Sequence, residues 1–211
     1  WGMFLLMEAI SSPQTPLERN TIEAIDAWIQ FRNTQNWNIR VGVGETGRPA
    51  LSTANFSVQH PVTNKLRNYE VLQKSFEQNG NDPAATLAYW MESIPMAQLV
   101  SEKVEYGFTA GSVKPGPINL IVEAATGQKL LIPRSFMFGP KIGAYMRNLQ
   151  GDQRFTTLDV WEGRYNRSYF KSQFKYSTGG PEILSEYDLF LQFGEEVRKA
   201  LGQDWTPAEA Q

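Results

Sequence analysis

Helical periodicity recurs along most of this 211-residue chain and constrains its fold more than any other feature. In TPLERNTIEAIDAWIQFRN at residues 15–33, Thr15, Pro16 and Glu18 form a capping box, the sequence signature of a helix start. Intervals of three and four residues then place one set of side chains on a single, largely apolar face: Leu17, Ile22, Ile25, Trp28, Ile29 and Arg32. Further helical patterns cover 65–79, 83–104 with an interruption at Pro95, 140–150, 157–172 and 182–201. The sequence therefore predicts a mainly α, multi-helix fold.

Two stretches lack this periodicity. Residues 34–63 are polar and rich in Gly and Thr, and they fit either a loop excursion or a small β-hairpin at about 37–60. Residues 107–120, GFTAGSVKPGPINL, carry several Gly and Pro residues, which favour turns. We expect this second stretch to be a long turn-rich connection.

The composition predicts one helical domain over residues 1–211, and the two ends of the sequence predict that it is a fragment of a longer polypeptide. With 41% apolar and 12% aromatic residues the chain can bury a core. The opening WGMFLLMEAI resembles the inside of an apolar helix, and near the other end Thr206, Pro207 and Glu209 form a second capping box. A helix-start signal thus stands at the end of the sequence with no helix after it. We therefore expect the rest of a parent polypeptide to be a partner.

Several classes of protein are disfavoured by what the sequence lacks. There is no cysteine for a disulfide, a thiolate zinc site or an iron–sulfur cluster, and His60 is the one histidine, so we expect neither a metal nor a cofactor. No apolar run reaches the roughly 18 residues that span a bilayer, and no signal peptide is present, so no membrane partner is expected. We expect the protein to be located in the cytoplasm of a bacterial or phage-infected cell, or alternatively to be associated with a virion.

Charge is distributed unevenly. The net charge of the whole chain is -2, but residues 129–175 hold nine Lys and Arg against three Asp and Glu, a local excess of +6. Such a local excess is compatible with a face that binds a polyanion. Elsewhere, Gly42, Gly44 and Gly47 spell G-x-G-x-x-G, but no helix pattern opens after them, so a dinucleotide site is not indicated.

The basic segment contains SFMFGPKIGAYMRNLQGDQRFTTLDVW, residues 135–161, in which Asp159 follows Lys141 by eighteen residues. Taken singly, both residues have ordinary explanations. An aspartate at a helix start caps free backbone N–H groups, for about 1 kcal/mol, and Lys141 fits the first turn of a helix that begins at Pro140. Their order with the glycine turn at Gly139 makes the pair more informative than either residue alone.

This order resembles the helix-hairpin-helix DNA glycosylases, the superfamily that includes endonuclease III. In that family a hairpin of pattern L-P-G-V-G-x-K carries a catalytic lysine, and a catalytic aspartate opens the next helix about eighteen residues later. Here SFMFGPK and TTLDVW stand at those places, although Met137-Phe138-Gly139 replaces the family's G-V-G. ISSPQTPL at 10–17 is similar to the family's LSxQ segment, which aligns Gln14 with a glutamine that fills the space of the extruded base. The same stretches are similar to uncharacterised domains of large phage and mobile-element proteins.

The resemblance implies two helical halves with a cleft between them, a helix-hairpin-helix, and double-stranded DNA as the partner. The implied activity is that of a DNA glycosylase with abasic-site lyase chemistry. Lys141 would attack the sugar as the nucleophile, and Asp159 would be the carboxylate that activates this lysine. Gly139 and five arginines would contact the phosphate backbone: Arg134, Arg147, Arg154, Arg164 and Arg167. Tyr145, Trp161 and Tyr165 would either stack on the extruded base or fill the core. The alternative is a non-catalytic DNA-binding or phage structural module, in which Asp159 is a cap and Lys141 a phosphate contact.

Overall fold

The computed structural model describes residues 1–12, 17–35, 41–43, 49–53, 56–57, 63–170, 181, 183–202 and 204–210. The chain divides into two compact units, Trp1–Trp90 and Met91–Gln211. The mainly α, multi-helix fold predicted from the sequence is confirmed. A cleft between two helical halves and a single domain remain predictions.

The first unit combines helices with a small antiparallel sheet. Its helices are α1 (Gly2–Ser11), α2 (Leu17–Thr34), α3 (Thr63–Gln78) and α4 (Pro83–Met91), the last of which ends one residue beyond the unit. Its strands are β1 (Val41–Val43), β2 (Pro49–Thr53) and β3 (Phe56–Ser57). They pair in the order β1-β2-β3, with Val41 opposite Leu51 and Ser52 opposite Ser57. The described residues of this region, 41–43, 49–53 and 56–57, thus fit the β-hairpin alternative, with β3 added as a third strand.

The core of the first unit forms where α1 packs against α2 and α3. Leu6, Met7 and Ile10 of α1 are fully buried, and the rings of Phe31 and Phe76 meet edge to face at 5.1 Å. Helix α2 packs through Ala24, Ala27 and Phe31, whereas its isoleucine-bearing face is exposed. Apolar spacing alone thus identified a real face of α2, but not the face that packs.

The second unit contains two short strands, two short 3-10 helices and five α-helices among its described residues. In chain order they are β4 (Ser93–Ile94), α5 (Met96–Glu105), a 3-10 helix (Ala110–Ser112), α6 (Pro115–Thr126), β5 (Ile132–Pro133), a 3-10 helix (Arg134–Phe138), α7 (Pro140–Leu149), α8 (Val160–Tyr169) and α9 (Leu184–Leu201). Strands β4 and β5 pair antiparallel, with Ile94 opposite Ile132. Pro95 separates α4 from α5, so the predicted interruption is confirmed.

The prediction for residues 107–120 is wrong in its second half. Helix α6 begins at Pro115, inside the stretch expected to be a turn-rich connection. Proline is favoured in the first turn of a helix, where its missing N–H has no intrahelical acceptor to lose. Gly127 ends the helix in the left-handed region at φ 71°. The two prolines of the stretch, Pro115 and Pro117, therefore mark the start of a helix rather than a long loop.

One local prediction is borne out near the end of the chain. Glu209 Oε2 accepts from the Thr206 N–H at 2.9 Å, and the Glu209 N–H donates to Thr206 Oγ1 at 3.3 Å, which is the reciprocal pattern of a capping box. The first capping box, at Thr15 and Pro16, lies outside the described residues. Among the described helices, none combines the length and the hydropathy needed to cross a bilayer.

Candidate functional site

Lys141 and Asp159 lie side by side in the second unit. The distance from Lys141 Nζ to Asp159 Oδ2 is 3.8 Å, and their side chains are 35% and 26% exposed. The pair is therefore partly shielded from water yet reachable by a ligand. The eighteen-residue spacing does bring the two side chains together, as the sequence led us to expect.

The start of α7 holds Lys141 through a tight backbone turn. Gly139 has φ 109°, a backbone conformation that residues with a Cβ atom rarely adopt. Its carbonyl accepts the Gly143 N–H at 2.9 Å. The 3-10 helix that precedes it packs directly on α7. The approach is so close that a Cβ atom added at Gly143 would lie only 2.7 Å from Phe136 Cα. Ser135 Oγ also donates to the Gly143 carbonyl at 3.2 Å. The segment SFMFGPK, where the hairpin was predicted, thus contains most of a five-residue 3-10 helix that packs on α7, and a helix-hairpin-helix remains a prediction.

The segment after α7 brings Asp159 back to the same end of that helix. Asn148 Nδ2 donates to the Phe155 carbonyl at 2.8 Å and to Thr157 Oγ1 at 3.0 Å, which ties the returning chain to the last turn of α7. Phe155 and Leu158 are buried. The Asp159 carbonyl accepts the Gly163 N–H at 2.9 Å, so Asp159 occupies the N-cap position of α8. Two helix starts, each fixed by packing, therefore present the lysine and the aspartate to each other.

An ion-pair network fixes the turn between the two residues. Arg147 donates to Asp152 Oδ2, and its Nη1 donates to the Met91 carbonyl at 2.9 Å. Arg154 Nε donates to Asp152 Oδ1 at 2.7 Å from a side chain that is 60% exposed. Hydrogen bonds from Arg154 and Arg147 lower the pKa of Asp152 from 3.8 to about 2. The aspartate thus links the end of α7 to the segment that leads to Asp159.

The Asp152 network predicts a loss of stability in acid. Because the folded-state pKa of Asp152 is depressed, its contribution is present above about pH 4 and is lost as the pH falls towards 2. Asp152→Asn should lower the free energy of unfolding at pH 7 by about 1–2 kcal/mol, allowing for solvent screening. It should also flatten the dependence on pH between about 4.5 and 2, as measured by urea titration at a series of pH values. Glu196→Gln, at a surface carboxylate that is 70% exposed, should leave the curve unchanged.

Four of the five predicted DNA-contacting arginines are paired with acids inside the second unit. Arg134 donates to Glu92 and Glu102, and Arg167 donates to both oxygens of Glu186 at 2.9 Å from a side chain that is 6% exposed. Arg147 and Arg154 are both paired with Asp152, as described above. Arg154 and Arg164 are on the surface. Most of the local excess of positive charge is therefore balanced within the fold.

The other predicted residues are distributed unevenly around the pair. Tyr145 lies one helical turn after Lys141 on α7 and is half-buried, whereas Tyr165 on α8 is 62% exposed. Gln14 and the side chain of Trp161 lie outside the described part of the chain. Sequence reasoning overlooked Gly143 and Asn148, which position the pair. A signal was present for Gly143, since a glycine in a helix interior costs about 1 kcal/mol and often marks a close approach.

Comparisons with known proteins do not assign a function to this chain. No protein-family model, curated protein or solved structure matches it. Among the described residues, no group of three His, Asp or Glu side chains is arranged to hold a metal ion. Lys141 and Asp159 therefore remain the best candidates for chemistry in the described part of the molecule.

Proposed function

We propose that this chain is a DNA glycosylase with abasic-site lyase activity, in which Lys141 is the nucleophile and Asp159 the activating carboxylate. The observation that carries the proposal is the 3.8 Å separation of Lys141 Nζ and Asp159 Oδ2 at two adjoining helix starts. Both side chains are partly exposed, so a sugar that is rotated out of a DNA duplex can reach them.

Lys141 supplies the amine that attacks C1′ of the extruded nucleotide. An ammonium has no lone pair, so the lysine must lose a proton before it attacks. The Asp159 carboxylate is separated from Nζ by little more than hydrogen-bond length and can accept that proton after a small side-chain rotation. Attack at C1′ expels the base and leaves a Schiff base between Nζ and the opened sugar. Loss of the C2′ proton then allows the 3′ phosphate to depart, which breaks the strand.

Asp159 has a second task while the base departs. Positive charge develops on the sugar ring as the bond to the base breaks, and a fixed carboxylate nearby stabilises that charge. The N-cap position of Asp159 and the packing of Phe155 and Leu158 fix the backbone that carries this carboxylate before the substrate arrives. Such preorganisation is what distinguishes a catalytic carboxylate from a mobile surface one.

Contacts with DNA are also part of the proposal. Arg154 and Arg164 are proposed to contact phosphates, and Tyr145, Trp161 and Tyr165 to contact the extruded base. Each phosphate contact releases counterions, so affinity should fall as salt rises. The roles assigned from the resemblance to Gln14 and Gly139 remain predictions, as does an intracellular site of action on bacterial or phage DNA.

Borohydride trapping tests the proposal directly. We expect the native chain to form a covalent adduct with a duplex that carries an abasic site, because reduction fixes the Schiff base. Lys141→Ala should abolish the adduct. Lys129→Ala is a matched control: Lys129 is a surface lysine in an ion pair with Glu123 at 2.9 Å, and its removal should leave trapping intact.

Each alternative result has a defined meaning. If Asp159→Asn blocks base release while no adduct forms with the native chain, the enzyme acts through water and Lys141 is a phosphate contact. If the native chain binds the duplex but neither traps nor releases a base from any of a panel of modified duplexes, the chain is a non-catalytic DNA-binding module. Absence of binding as well as chemistry would overturn both interpretations.

A further inference from the structure

Helix α2 has two opposite faces of different character. Asn20, Ala24, Ala27 and Phe31 are buried and attach the helix to the first unit. On the opposite side, Ile22, Ile25 and Ile29 are 41%, 43% and 51% exposed. Three β-branched apolar side chains exposed in one row are unusual for a helix that already packs through its other side. This row requires an explanation that the proposed catalytic site does not supply.

The row has the spacing of a helix–helix seam. Glu18, Ile22, Ile25, Ile29 and Arg32 follow one another at intervals of four, three, four and three residues. At about 100° per residue they fall within a strip roughly 80° wide. Alternating intervals of three and four are the pattern by which one helix packs lengthwise on another. Because the interval averages 3.5 residues, the occupant of this face is expected to be a helix lying nearly parallel or antiparallel to α2.

The charges at the two ends of the seam indicate which helix this is. An acidic residue, Glu18, stands at one end, and a basic residue, Arg32, stands at the other, with Ile25 midway between them. Both end residues are exposed. When a second copy of α2 is laid antiparallel on the first, Glu18 of each copy faces Arg32 of the other. Ile22 then packs near Ile29, and Ile25 meets its own counterpart, so the face is complementary to itself.

We propose that the chain forms a twofold-symmetric dimer through an antiparallel pairing of α2 with α2, with the axis passing next to Ile25. A twofold interface uses the same patch on both copies, which is the requirement that this row meets. Two turns on either side of the axis cover less than the roughly 800 Å² per partner of a standard interface. The dimer is therefore expected to be weak. It should be appreciably populated only at chain concentrations of about 10–500 µM.

Cysteine cross-linking measures the geometry, and the absence of cysteine from the chain makes the experiment clean. Ile25→Cys puts one thiol from each copy beside the axis, so mild oxidation of the full chain should give a covalent dimer in good yield. Leu130→Cys is the matched control, since Leu130 is 81% exposed and is not a member of the row, and this variant should stay largely monomeric under the same conditions.

Charge exchange distinguishes the antiparallel pairing from a parallel one. Glu18→Arg should weaken self-association by about threefold to thirtyfold, because two attractive pairs per dimer become repulsive. The double variant Glu18→Arg/Arg32→Glu should restore it to near the native value. A parallel pairing would set Glu18 against Glu18, so the single change would then have little effect. All these substitutions are at exposed positions, and circular dichroism checks that the variants stay folded.

Sedimentation equilibrium decides whether the dimer exists. The weight-average mass should rise from the monomer value of 23.9 kDa as the concentration increases through the range above, and Ile25→Lys should hold it at the monomer value by placing two ammonium groups together. If the native chain remains monomeric at about 500 µM, the upper end of that range, the proposal is overturned. Dimerisation that is unchanged by Ile25→Lys would overturn it as well, because it would place the interface on another surface.

Discussion

Lys141→Ala and Asp159→Asn are each expected to slow strand cleavage at an abasic site by about 10²–10⁴-fold, and the double variant by little more than the worse single one. The two side chains act in one step, since Asp159 can activate only an amine that is present. Removal of the second residue therefore costs little once the first has gone. Single-turnover cleavage of a duplex with a defined abasic site measures all four rates without knowledge of the natural base.

Controls separate a loss of chemistry from a loss of binding. Asp159→Asn retains the side-chain length and one acceptor oxygen, so the N-cap of α8 should be weakened only slightly. Its affinity for the duplex should stay within about threefold of the native value, whereas a general binding defect would reduce affinity and rate together. Glu123→Gln removes the acid of another Lys–carboxylate pair and should change neither quantity. Multiplicative effects of Lys141→Ala and Asp159→Asn would contradict a shared step.

The sequence predicted the helices of this fold well because their signals are local. Proline and capping residues mark where helices begin, and periodic apolar residues show how far they run, as in α3, α7 and α9. The lysine–aspartate proximity was also predictable, since a ten-residue helix rises about 15 Å and the segment after it is long enough to return to its start. Helix α6 was overlooked because its Pro and Gly residues were interpreted without regard to position.

What the sequence could not provide was the pairing of side chains across distant segments. Arg134 meets Glu102 from thirty-two positions away, and Arg167 meets Glu186 from nineteen. A local count of charges treats each of these arginines as available to a polyanion. Only the tertiary structure shows that their guanidinium groups are engaged within the unit. The exposed row on α2 is a similar case, since periodicity shows that a face exists but not what covers it.

The charge pairing at Arg134 leads to a large expected effect on stability. Arg134 lies at the junction of β5 and the 3-10 helix that packs on α7, and its side chain is 6% exposed. Its Nε and Nη2 donate to the two carboxylate oxygens of Glu102 at 2.7 and 3.0 Å, and its Nη1 donates to Glu92. Removal of one partner of a buried pair leaves the other charge desolvated. Arg134→Ala should therefore lower the free energy of unfolding by about 3–5 kcal/mol.

Urea unfolding followed by circular dichroism measures this change, and hydrogen exchange of residues 92–105 and 132–149 shows whether it is centred on the second unit. Arg154→Ala is the matched control, because Arg154 is 60% exposed and its partner Asp152 keeps Arg147, so the cost should stay below about 1 kcal/mol. Arg134→Met combined with Glu102→Leu should recover most of the loss, since an apolar pair of similar volume leaves no unpaired charge in the interior, and the Glu92 carboxylate, 61% exposed, is solvated by water. If Arg134→Ala instead weakened DNA binding at unchanged stability, the guanidinium would belong to the phosphate interface and not to the interior.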